Sequence, residues 1–129
     1  MCSHRIVTDH RVAKFVGSQV DAIIYPPFTT MGIERNGEII AGVVFNCYTG
    51  HDAHFTAAGH GWTRGFLADF GNYVFAQLKC ERTTAITRQT RVESLAARLG
   101  GRREGVLRNY FGKGHDAIVI GILKEDYRY

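Results

Sequence analysis

The alternation of apolar and polar positions divides the chain into short elements whose period changes. In residues 7–17 (VTDHRVAKFVG), Val12, Phe15 and Val16 fall on one helical face. Thr8 or Asp9 is placed to cap the start of that helix and Gly17 to stop it. No period persists through 18–30 (SQVDAIIYPPFTT), and Pro26-Pro27 discourages helix, so this segment is expected to be irregular. A hairpin follows. Met31 to Arg35 and Glu38 to Tyr48 flank Asn36-Gly37, the strongest two-residue turn signal. The second of these strands is almost continuously apolar, which predicts a central strand covered on both faces. After a turn at Thr49–Asp52, residues 53–58 (AHFTAA) read as a third strand.

The period then lengthens. Phe66, Leu67, Phe70, Val74 and Leu78 predict a helix over 63–78, and the β-branched run at 83–88 predicts a strand. Thr90 and Glu93 have capping-box spacing, and Val92, Leu95, Ala96 and Leu99 continue one helical face to a stop at Gly100. Residues 103–111 and 115–124 close the chain as two strands joined through Gly112-Lys113-Gly114. The strand–helix–strand–helix–strand stretch over 53–111 implies crossover connections and a locally parallel pair. The expected fold class is therefore α/β. It is one domain over 1–129, with a single mixed, mostly antiparallel sheet, helices on both faces and the parallel pair at a cleft.

Composition narrows the setting. The chain has 129 residues, enough for one core, and 45% of them are hydrophobic. Three cysteines (Cys2, Cys47 and Cys80) without a CxxC pair fit free thiols. The N-terminus lacks the apolar stretch of a signal peptide, and no apolar run is long enough to span a bilayer. A cytoplasmic protein without a membrane is expected. The net charge is +4 and the pI about 9.2. Arg82, Arg88, Arg91, Arg98, Arg102, Arg103 and Arg108 cluster in one stretch. They form either a solvated basic face or a phosphate site, for a nucleotide cofactor or for nucleic acid.

In open α/β sheets, ligands bind beyond the carboxyl ends of parallel strands, beside a helix N-terminus. Here that place is the turn Ala58-Gly59-His60-Gly61-Trp62-Thr63-Arg64-Gly65. Its glycines let the backbone approach a phosphate, and the helix start offers free N–H groups. Laid on this turn, the pattern [R/Q]-x-x-G-x-[G/A] places Ala58, Gly61 and Thr63 at its fixed positions. Further on, ESLAARLGGRREGVLRNYF resembles the motif "N..s..l.e.lGF..EG..R", and DAIVIGILKEDY resembles a closing strand. On these residues the chain resembles the GNAT superfamily of acyl-CoA N-acyltransferases over roughly residues 31–129. It is most similar in style to short phage-type members and distantly similar to the DNA-modifying branch typified by the phage protein Mom. It departs from the pattern at Ala58 (for Arg or Gln), Gln89 (for Asn), Gly101 (for Phe) and Ala96, where many members carry a tyrosine that protonates the leaving thiolate.

The resemblance implies acetyl-CoA, or another acyl-CoA, as cofactor. It would be held by Ala57, Ala58, Gly59, His60, Gly61, Trp62, Thr63, Arg64 and Gln89. It also implies an amine acceptor, small or macromolecular, and is compatible with a homodimer. The candidates for general base are His54, Asp52 and His51, at the start of strand 53–58; histidine suits the role by its intrinsic pKa. His51 and His54 also have a spacing that invites a metal. On a strand, however, side chains three apart point to opposite faces, so no metal site is expected. The competing readings are a nucleic-acid-modifying relative, favoured by the arginines, and a binding module that has lost catalysis.

Overall fold

A computed structural model describes residues 4–20 and 23–129. In chain order the elements are β1 (His4–Val7), α1 (His10–Val20), β2 (Thr29–Arg35), β3 (Glu38–Asn46), β4 (Asp52–Gly59) and α2 (Arg64–Gly71). A π-helical turn (Asn72–Gln77) prolongs α2. There follow β5 (Arg82–Thr87), α3 (Thr90–Leu99), β6 (Arg102–Leu107), β7 (Ala117–Leu123) and a 3-10 turn (Lys124–Asp126). The strands form one sheet in the order β1-β2-β3-β4-β5-β7-β6. β4 and β5 are parallel and the other neighbours antiparallel.

The long apolar strand is central, as its composition requires. Val43 and Phe45 point to one side of β3, where Phe55 and Ala57 of β4 join the side chains of α2 and α3. Val44 and Ala58 point to the other side and pack under α1. Phe66, Leu67 and Phe70 of α2 and Leu99 of α3 are buried in the larger core. Each such side chain contributes about 1.5–3 kcal/mol by leaving water. α1 sits unusually close to the sheet because Gly32 and Gly42 are paired directly beneath it. A Cβ on Gly42 would lie 2.8 Å from Val12 Cγ1 and 2.9 Å from Val16 Cγ2. α1 covers β2, β3 and β4, so the α1 side of β5, β7 and β6 carries no helix among the described residues.

Several sequence boundaries shift, each for a local reason. The chain opens with β1, which pairs with β2 and had no alternating pattern long enough to read. Gly17 does not stop α1, which runs on to Val20 with Val12 and Val16 anchoring it to the glycine pair. Asp9 does cap it: its Oδ1 accepts from the Arg11 N–H at 3.0 Å. β2 begins at Thr29, inside the segment read as irregular; residues 21–22 of that segment, like Cys2, lie outside the described residues. β3 ends at Asn46 because Cys47 adopts φ 52. The 63–78 helix is real but changes pitch at Asn72. Thr90 is not a cap. Gln89 holds that position, with its carbonyl accepting from Val92 and Glu93, while the Glu93 carboxylate pairs with Arg103 at 2.6 Å. β6 stops at Leu107, and the loop to β7 is longer than the three residues read from the glycines.

Candidate active site in the cleft between the parallel strands

β4 and β5 pair only from Asp52↔Arg82 to Phe55↔Ala85. Beyond Phe55, β4 stays on β3 as far as Gly59, while β5 diverges toward α3. The two strands therefore splay and open a cleft of about 840 Å³. His54, Thr56 and Ala57 line it from β4, Ile86 and Thr87 from β5, and Gln89 and Val92 from the start of α3. The β4 wall is a strand edge that has left its partner, a surface suited to an extended, amide-bearing ligand.

The Gly-rich turn stands at the end of that strand. Gly59 has φ 100 and Gly61 φ 82, both left-handed. A Cβ on Gly59 would stand 2.2 Å from the Ile40 carbonyl oxygen, so no other residue fits there. Within the turn, the His60 N–H donates to Ile40 O at 3.0 Å, the Phe66 N–H to Thr63 Oγ1 at 3.1 Å and the Leu67 N–H to Thr63 O at 3.0 Å. Thr63 thus caps α2, and the N–H groups from Gly61 to Gly65 are not among the turn's donors. Free donors at the positive end of a helix suit an anion such as a pyrophosphate.

The candidate cofactor residues separate by position. Ala57 and Gln89 line the cleft. Gly59, Gly61 and Thr63 shape the turn, His60 is exposed, and the guanidinium of exposed Arg64 lies 6.0 Å from the Tyr129 ring. Trp62 is half-buried with its ring 5.3 Å from Phe66, and Phe66 and Phe70 belong wholly to the core. Ala58, at the motif's Arg or Gln position, is buried beneath α1 with Val12, Val16 and Val44. A long polar side chain would not fit in that packing, which accounts for the departure. Ala96, at the tyrosine position, is fully buried.

The candidate bases also separate. His54 and Asp52 project from the same face of β4, with His54 Nε2 3.6 Å from Asp52 Oδ2. Asp52 is held in turn. Its two carboxylate oxygens accept from Thr84 Oγ1 at 2.9 and 3.0 Å, and Arg82 Nε lies 3.7 Å from Oδ1. Arg82 also donates to Glu104 Oε1 at 2.6 Å. This pair lies flat on Gly121, where a Cβ would meet the Glu104 carboxylate at 2.2 Å. His54 lines the cleft. His51 instead sits exposed in the turn before β4, where its carbonyl accepts from the N–H groups of Glu81 and Arg82. An imidazole at a cleft wall with a carboxylate nearby can accept a proton, and the carboxylate favours the resulting charge.

Other lining residues were not among the sequence candidates. Asn46 and Cys47 at the end of β3, Ile23 and Ile24 after α1, Arg88, Tyr110 and Phe111 all face the cleft. No local signal marks them, because four separate chain segments supply them. Cys47 at φ 52 was the one backbone oddity among them. Cys80 is buried, and burial raises its thiol pKa, with Asp52 adding to the shift. Two of the clustered arginines, Arg82 and Arg103, are in ion pairs. Among the described residues no group of three or more His, Cys, Asp or Glu side chains is placed to hold a metal, and no helix is long and apolar enough to cross a membrane.

A mixed seven-stranded sheet splayed at one parallel pair, with a glycine turn leading into a helix at the splay, is a GNAT-like fold. Solved structures agree. The spermidine/spermine N-acetyltransferase SpeG from Vibrio cholerae, determined with manganese ions, superposes with a TM-score of 0.70 at 14% identity, over 96% of this chain and 93% of that one. A mutant of the same spermidine N-acetyltransferase gives a TM-score of 0.73 at 14% identity, over 98% and 95%. A T. thermophilus protein placed among the acetyltransferases gives 0.61 at 22% identity, over 79% of this chain and 62% of that one. No protein-family model matches the sequence, and no curated protein matches it.

Proposed function

We propose that the protein is an N-acetyltransferase that moves an acetyl group from acetyl-CoA to an amine. The observation that carries this reading is the splay beyond Phe55↔Ala85, which opens between a glycine turn and a strand edge. The pyrophosphate of CoA would meet the N–H groups of residues 61–65 at the start of α2, and the pantetheine arm would lie along β4 at Ala57. When bound, the thioester supplies an activated acyl carbon.

The chain's own residues do the rest. His54, with the Asp52 carboxylate 3.6 Å away, takes the proton from the attacking amine nitrogen. The new N–C bond forms as the C–S bond breaks, and CoA leaves as a thiolate that takes up a proton. β4 backbone N–H groups in the splay stabilise the developing oxyanion. The Thr84 and Arg82 contacts fix the Asp52 carboxylate beside the imidazole. No tyrosine stands at the usual acid position, since Ala96 is buried in the core. The proton for the thiolate therefore comes from the protonated His54 or from water.

Calorimetric titration with acetyl-CoA, with CoA as control, tests the reading. Saturable binding in the micromolar range, about −8 kcal/mol, is expected. Gly61→Glu should weaken it at least tenfold, by placing a carboxylate among the phosphate donors. Absence of heat at millimolar acetyl-CoA would overturn the proposal.

A further inference from the structure

The fold neighbours include an enzyme named for spermidine and spermine, whereas the described lining of this chain's cleft carries a fixed cation, Arg88. Among the described residues that line it there is no Asp or Glu, although Asp52 stands beside His54, 3.6 Å from its Nε2. A polycation entering it would lose water, at several kcal/mol per buried charge in general, and would meet the like charge of the Arg88 guanidinium. The lining instead holds one fixed cation, Arg88, for which no hydrogen bond or ion pair is formed among the described residues. Much of the remaining described lining is apolar, Ile23, Ile24, Ile86, Tyr110 and Phe111 among it. Ile23 is 79% exposed and Tyr110 53% exposed, so both leave apolar surface in water at the mouth of the cleft.

Resting on the acetyltransferase reading, we propose that the acceptor is a monoamine carrying an apolar or aromatic group and one carboxylate, as in a free hydrophobic amino acid. The amine sits at His54, the side chain between Ile86 and Tyr110, and the carboxylate on the Arg88 guanidinium. The spacing fits. His54 is paired with Thr84, and Arg88 directly follows the end of β5 at Thr87, so at most about 13 Å of backbone lies between them at about 3.3 Å per residue. A side chain as long as arginine's can span part of that interval. Arginine also suits the role chemically, since its planar fork binds a carboxylate through two parallel hydrogen bonds.

The test is steady-state acetyl transfer from acetyl-CoA to leucine, phenylalanine, their amides and spermidine, in wild type and Arg88→Gln. Free phenylalanine and leucine should be acetylated with kcat/KM at least tenfold above their amides and above spermidine. Arg88→Gln should raise KM for the free amino acids 10–100-fold, leave KM for acetyl-CoA unchanged, and abolish the preference over the amides. Equal or better use of the amides, preferred use of spermidine, or a rise in KM for acetyl-CoA instead of the acceptor would each overturn the assignment. The last outcome would place Arg88 on a CoA phosphate. Transfer to any of these amines keeps the acetyltransferase reading intact, and failure to bind acetyl-CoA in calorimetry is what removes it, so the two claims fail separately.

Discussion

His54 is one of six histidines, and only its neighbours set it apart. It stands beside Asp52 at the wall of the splay, whereas His51 and His60 are exposed in turns. On the acetyltransferase reading, His54→Gln should lower kcat by 10²- to 10⁴-fold, the range general-base catalysis covers, with KM for acetyl-CoA little changed. Stopped assays of acetyl transfer over a range of amine concentrations check this. Gly59 is the second decisive residue. With φ 100 and the Ile40 carbonyl in the place of a Cβ, Gly59→Ala should destabilise the fold by about 1–3 kcal/mol, read from urea unfolding. Spacing alone marked both residues as candidates. It did not say which of His51, Asp52 and His54 act together, because that depends on strand alternation and on Thr84 and Arg82 arriving from β5.

Among the elements, α1 shows how a short helix is fixed by its seat and by its cap together. Val12 and Val16 pack onto the Gly32–Gly42 pair, and the Asp9 carboxylate caps the first turn. Hydrogen bonds from Arg11 lower the pKa of Asp9 from its usual 3.8 to about 2. A depressed carboxylate contributes stability above its unfolded pKa and loses it as the pH falls through the folded value. The contribution is thus complete above pH 3.8 and fades toward pH 2. Thermal unfolding of Asp9→Asn should show a lower Tm than wild type at pH 5, with the gap closing by pH 2. A gap independent of pH would sink this account. Most elements were legible because their periods were long enough to read: β3, α3 and the Asn36-Gly37 hairpin stand within a few residues of their expected limits. β1 and the run of α1 past Gly17 were not legible, since sheet pairing and the glycine floor, rather than local propensity, hold them.

At the scale of the molecule, the splay of β4 from β5 joins the candidate groups into one cleft. If acetyl-CoA binds there and not to the unfolded chain, saturation at a hundred times Kd should add about 2.7 kcal/mol of stability. That corresponds to a Tm rise of roughly 10 °C for a domain of this size. Differential scanning fluorimetry against CoA-free buffer measures it, and no shift at millimolar ligand counts against the cleft as the cofactor site. The sequence by itself determined the fold class, the element order from α1 onward with its parallel pair, and the Gly-rich turn. These follow from hydrophobic period, turn chemistry and the crossover rule, all of which are local or nearly so. Only the tertiary structure decided that Ala58 packs under α1, that Asp52 and His54 share a face, and that Arg88, Tyr110 and Ile23 line one cleft. Those residues lie far apart in the chain, and only the pairing of strands and the close seat of α1 bring them together.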